Sequence, residues 1–185
     1  MTGDMAYVDR TIIHEYGHFL EDMIGAFLPL PSLHDGCTVT VLGVAAHSPM
    51  SAWMEAFASW FAQAVHRSDP AAGLIGDSAN GMGTFTKEQL ETPTCPSSRI
   101  PGNAVELSVA GSLWDLTDPN TTTEPFDTLV GHETNIFQIM DGPLDNSVLG
   151  LATPTISKFR AAWIARGLPL APLDKILVGN GIPAA

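Results

Sequence analysis

The sequence predicts a mainly α-helical fold with one small β element, and three features predict it. Apolar residues recur at three- and four-residue intervals in five separate windows, as they do in helices with a buried face. Only residues 38–45, Thr-Val-Thr-Val-Leu-Gly-Val-Ala, form a β-branched apolar run, enough for one short strand or part of a hairpin. A chain of 185 residues with 45% apolar content can bury about 70% of its extended surface. The helices therefore have a core to pack around, and a single domain spanning 1–185 is expected.

Taken in order, residues 4–27 read as the first helix. Ile12, Ile13, Phe19, Leu20, Met23, Ile24 and Phe27 keep helical spacing, Asp4 is a candidate N-cap, and Pro29 and Pro31 end the run. Ser48 is a good N-cap and Pro49 suits a first helical position. The helix they open runs to about His66 and carries Trp53, Met54, Phe57, Trp60, Phe61, Ala64 and Val65 around most of its circumference, which predicts a central place. Residues 68–102 are rich in Gly, Pro, Ser, Thr, Asp and Asn and read as a long irregular segment with a short helix near Lys87–Glu91. Helical spacing returns over 103–117 and over 127–140, the latter capped by Asp127 or Thr128. Thr153 and Pro154 open a last clear helix that Gly167 closes, and the tail keeps a weak apolar stretch at Ile176–Val178. Trp114 and Trp163 read as core residues.

Composition excludes several classes of function. Eight basic against 20 acidic residues give a net charge of −12, and the Lys and Arg residues are scattered singly. A nucleic-acid partner would need a basic face, so none is expected. The acidic surplus reads as a solvated surface. No apolar run reaches the roughly 18 residues of a membrane span, so no membrane partner is expected. Residues 1–9 lack a basic stretch followed by an apolar one, so they do not read as a signal peptide. The first motif begins only 14 residues in, which leads us to expect a missing N-terminal portion. Cys37 and Cys95 lack metal-ligand spacing. Both lie in polar, turn-rich stretches, and a bridge between them is preferred to two buried thiols. A bridge implies an oxidising compartment, so a secreted or extracytoplasmic protein is expected.

The chemistry centres on His14-Glu15-Tyr16-Gly17-His18, an H-E-x-x-H pattern on the first helix. Residues four apart differ by about 40° around a helix and 6 Å along it, so two imidazoles so placed can converge on one ion. Glu15 is rotated about 100° from His14, where it can reach a water held on that ion and act as its base. A catalytic zinc needs a third protein ligand and one open position. The extended metzincin pattern fails, because Glu21 and Ile24 stand where Gly and His are required. Glu21 shares the histidine face but lies about 10 Å along the axis from His14, so it reads as a second-layer partner or a solvated charge. Glu55 is the lone acid in the apolar helix 49–66, and a lone carboxylate there is costly unless paired or metal-bound. It is the first choice for third ligand, with Asp22 and Asp115 next. Ser59, one turn on, can hydrogen-bond a ligand imidazole or simply allow close packing. The loop Asp77-Ser-Ala-Asn80-Gly carries calcium-type oxygens without the full ligand spacing.

With HEYGHFLE, then Glu55 in WMEAFASWFA and GSLWDLTDP at 111–119, residues 8–120 resemble the gluzincin zinc metallopeptidases, the thermolysin- and fungalysin-like group. The resemblance implies a zinc centre of His14, His18 and Glu55, with Glu15 as catalytic base and Ser59 where many members carry an Asp that steadies the first His. It also implies that His132 stabilises the oxyanion, with Tyr16, Tyr7 and His47 as rivals. Two departures stand out. The stretch from His18 to Glu55 is longer than in thermolysin, and the β-sheet that usually precedes the first helix is absent from the sequence. The expectation is a zinc-dependent metallopeptidase that hydrolyses peptide bonds with a Glu-activated water. An esterase or amidase of small substrates and an inactive module stapled by zinc are the alternatives.

Overall fold

The computed structural model describes residues 9–24, 33–34, 37, 39–41, 44–45, 48–67, 87–91, 95, 102–119, 124–145 and 153–183. The described elements are α1 (Asp9–Met23), β1 (Leu33–His34), β2 (Val39–Val41), β3 (Val44–Ala45), α2 (Pro49–His66), α3 (Lys87–Glu91), a 3-10 turn (Gly102–Ala104), α4 (Glu106–Asp115), α5 (Glu133–Met140), α6 (Ile156–Ala165) and α7 (Leu170–Gly179). The fold is mainly α with a small β element. The candidate strand run is a hairpin, because Val41 pairs with Val44 across an antiparallel turn, and β1 adds a third antiparallel strand at Leu33↔Thr40.

α2 is the hub. Ser48 caps it by accepting from the Ser51 amide at 3.0 Å, and Pro49 occupies its first turn, where a missing N–H leaves no bond unmade. Trp53, Phe57 and Trp60 are fully buried on it. Trp53 packs on Phe159 of α6, while Phe57 and Trp60 pack on Phe137 of α5. α1 lies along one side of α2 and α4 along another. A helix apolar around most of its circumference belongs in such a position, since few of its sides can face water without cost. Trp114 and Trp163 are core residues, and their indole N–H groups donate to Glu91 and to the Pro169 carbonyl. Cys37 and Cys95 form a disulfide between residues 58 apart, which restrains the unfolded chain by about 4 kcal/mol in the chain-entropy account.

Three boundaries differ from the sequence reading. α5 begins at Glu133, so residues 127–132 are non-helical and neither Asp127 nor Thr128 is its cap. Asp127 instead turns its carboxylate onto the Leu129 amide. The weak tail stretch is a complete helix, α7, which buries Leu173, Ile176 and Leu177. Residues 103–117 split into the 3-10 turn and α4. Gly167 does close α6, at φ +70°, which glycine adopts without strain. Asp4, Tyr7, His47 and the loop 77–81 lie outside the described residues.

The face that α1 presents to α2 is not its most apolar one. Ile12, Phe19 and Met23 are exposed, whereas His14, Gly17 and Glu21 are buried. Gly17 sets the approach: a Cβ there would stand 2.8 Å from the Ala58 Cα, inside van der Waals contact with backbone. A Gly17→Ala variant must push the two helices apart. We expect it to lower stability by about 1–3 kcal/mol, as overpacking does, and to weaken metal binding, read by thermal melting with and without metal.

Candidate metal centre

The close approach of α1 and α2 brings three side chains to one point. The Glu55 carboxylate, from the first half of α2, places Oε2 at 3.2 Å from His18 Nε2 and 3.5 Å from His14 Nε2. One ligand atom from each of the three lies within 4.8 Å of the others. Among the described residues this is the one group of three or more His, Cys, Asp or Glu that meets that spacing. Metal–ligand lengths of about 2.0–2.2 Å at tetrahedral angles set ligand atoms about 3.3–3.6 Å apart. The two separations from Glu55 fall close to that spacing, so the donor set suits a small metal ion.

The far nitrogens of both rings are held. His18 Nδ1 meets Glu21 Oε2 at 3.0 Å, and Glu21 is fully buried. The solvated-charge alternative for Glu21 is therefore ruled out. Its distance from His14 does not matter, because it serves the second histidine. His14 Nδ1 meets Ser59 Oγ at 3.2 Å, and the Ser59 hydroxyl donates to Glu106 Oε1 at 3.0 Å. A serine has one hydrogen to give. Since it goes to Glu106, the serine oxygen must accept from His14 Nδ1–H. That fixes the His14 tautomer with the Nε2 lone pair turned towards Glu55. His14, Ser59 and Glu106 are all buried, so the orientation is not averaged by water. Carboxylates behind ligand imidazoles are the usual outer support of a metal centre. Here one acts directly and the other through a serine on the intervening helix.

Glu106 was missed in the sequence. It looks like an ordinary acid in the first turn of a helix, where the dipole favours negative charge. Its burial follows only from α4 lying against α2. Of the other candidates, Asp22 is exposed and Asp115 belongs to a separate buried cluster. Neither joins the triad. Glu15 is exposed on the turn beside His14, as its rotation requires. His132 sits at the N-terminal edge of α5, not within it; its Nδ1 pairs with Asn135 and its ring packs on Trp163. Its neighbour Glu133 pairs with Arg67, at the end of α2 opposite Glu55, about 18 Å along the axis. None of these contacts is with a residue of the triad. Tyr16 is exposed and rests on Phe19 and Phe61.

The electrostatics favour positive charge. Burial opposes charging His18, but hydrogen bonds to Glu21 and Glu55 and the attraction of both carboxylates outweigh it and raise its pKa to about 10. Metal and proton compete for that imidazole. Burial also raises its partner Glu21 to about 8, so the His18–Glu21 pair holds a proton at pH 7 and metal binding should expel a proton from the pair. Metal affinity should then rise about tenfold per pH unit from pH 7 towards 9. Titration calorimetry in buffers of different ionisation enthalpy reads the released proton directly. Ser59→Ala and Glu106→Gln should each weaken metal binding by about 10–100-fold, measured by competition with a chromophoric chelator. An unchanged affinity would contradict the relay.

An uncharacterized protein of Archaeoglobus fulgidus is 29% identical over 156 residues, which cover 79% of this chain and 39% of that relative. The chain thus spans about two fifths of that relative's length. No solved structure matches. Residues 1–140 match the family described as the mycolysin C-terminal domain, which relates the chain to the thermolysin- and mycolysin-like peptidases. On that match, covering most of its length, the chain belongs to the mycolysin C-terminal domain family.

Proposed function

We propose that the protein is a zinc-dependent metallopeptidase of the gluzincin kind, in which His14, His18 and Glu55 hold zinc and Glu15 is the catalytic base. The observation that carries this reading is the convergence of His14, His18 and Glu55, with Glu55 Oε2 at 3.5 and 3.2 Å from the two Nε2 atoms, one ligand atom of each residue within 4.8 Å of the others, and both imidazoles braced from behind. Zinc, when bound, supplies Lewis-acid polarisation of the scissile carbonyl and lowers the pKa of water to about 7.

The chain's own residues supply the rest. Glu15 lies on the same helix as both histidines but turned about 100° from His14, towards solvent. From there its carboxylate takes the proton of the attacking water and delivers it to the leaving amine nitrogen. Glu21 and the Ser59–Glu106 pair keep the two rings from turning while charge builds in the site. Peptide bonds are the proposed substrates. An extracytoplasmic location accompanies this reading and accords with the Cys37–Cys95 bridge.

Glu15→Gln is the direct test, because it removes the base and leaves the ligands in place. We expect full zinc content and a fall in peptide hydrolysis of about 10²–10⁴-fold, followed with a quenched fluorescent peptide library. Zinc retention with near-normal turnover would remove Glu15 from the mechanism. Absence of any hydrolysis in the zinc-loaded parent protein would favour an inert zinc-stapled module.

A further inference from the structure

Among the described residues, the hydrophobic core is built without α1. Every helix from α2 to α7 contributes buried apolar side chains to it, and α1 contributes none. On α1, Ile12, Tyr16, Phe19 and Met23 are 51–66% exposed, and Ile13 and Leu20 are half-buried. The residues that α1 does bury are His14, Gly17 and Glu21. The glycine meets Ala58 with no side chain of its own, and the other two are polar. Glu21 Oε1 is buried with no hydrogen-bond partner, so the docked position leaves a polar atom unanswered.

Apolar burial is the main force that holds a helix on its neighbours, and α1 forgoes most of it. A helix of 15 residues is marginal in water by itself. What joins α1 to α2 is side-chain chemistry: His18 Nε2 and His14 Nε2 face Glu55 at 3.2 and 3.5 Å, and His14 Nδ1 meets Ser59. On undocking, such bonds are exchanged for bonds to water, so their net contribution is modest. A shared metal ion acts differently. Two of the proposed ligands stand on α1 and the third on α2, so coordination ties one helix to the other, and metal binding of this kind is linked to folding.

We infer that α1 is a metal-dependent latch. In the metal-free protein it opens from α2, while α2 and α4–α7 stay packed around their own core. It closes when His14, His18 and Glu55 share an ion. The inference rests on the metal reading of that site and adds a conformational step to it. Glu15 rides on the same helix, so the two histidines and the base reach their places together.

Amide hydrogen exchange of the full chain, with excess chelator and with zinc, tests the latch. In chelator the α1 amides should exchange at least about 100-fold faster than those of α2 and α4, which stay protected. At free zinc about 100 times the dissociation constant, α1 exchange should slow about 100-fold. Glu55→Ala in the same zinc should keep α1 at its metal-free rate, and slowing there would contradict the latch. Should that variant not fold, the parent protein decides. Exchange in chelator as slow in α1 as in α2 and α4 overturns the inference, because α1 then opens only with the core. Zinc content is read on the same samples by atomic absorption. Zinc bound with α1 exchange unchanged overturns the inference and leaves the metal site standing, whereas a chain that binds no zinc overturns both.

Discussion

Gly17 lets α1 lie directly on α2, and the rest of the site depends on that contact. With backbone against backbone at Ala58, His14 and His18 come opposite Glu55, and His14 comes opposite Ser59 one turn further along. A side chain at position 17 would push α1 off α2 and draw the two imidazoles away from Glu55. α4, on another side of α2, then supplies Glu106 through Ser59. The apolar surface of α2 follows from the same arrangement: it is flanked by α1 and α4 and closed by the aromatic rings of α5 and α6.

The charge of the molecule is placed differently from what composition implies. Glu21, Glu106, Asp115, Asp118, Glu124 and Asp127 are buried, so the surplus of acid is not simply a solvated coat. Buried carboxylates cost free energy unless a cation, a proton or a donor answers them. Around His14 and His18 they are answered by imidazoles in hydrogen-bond reach. Around Asp115 they face one another and Asn180.

The histidine pair, Glu15 beside it and Glu55 were legible in the sequence because each follows from helix periodicity or from the cost of a lone acid in an apolar helix. Ser48 and Pro49 marked the start of α2 for equally local reasons. What could not be read was tertiary. Glu106 is an unremarkable first-turn acid until α4 is set against α2. The apolar spacing of α1 suggested one buried face; Ile24 does pack on the core, but Ile12, Phe19 and Met23 are exposed while His14, Gly17 and Glu21 are buried. His132 carried the expectation of an oxyanion donor by position along the chain; its contacts with Asn135 and Trp163 are tertiary and could not be read there. α7 was faint because Pro172 interrupts its pattern in the first turn, where proline is tolerated.

One ion gripped by His14, His18 and Glu55 is the claim on which the functional reading stands. X-ray absorption at the zinc edge of stoichiometrically loaded protein, compared with a Glu55→Ala variant, tests it most directly. The account predicts one zinc per chain with two imidazole nitrogens and a protein oxygen at about 2.0–2.2 Å, and loss of that oxygen with a sharp fall in occupancy in the variant. A parent protein that binds no zinc, or a variant whose zinc environment is unchanged, would contradict it.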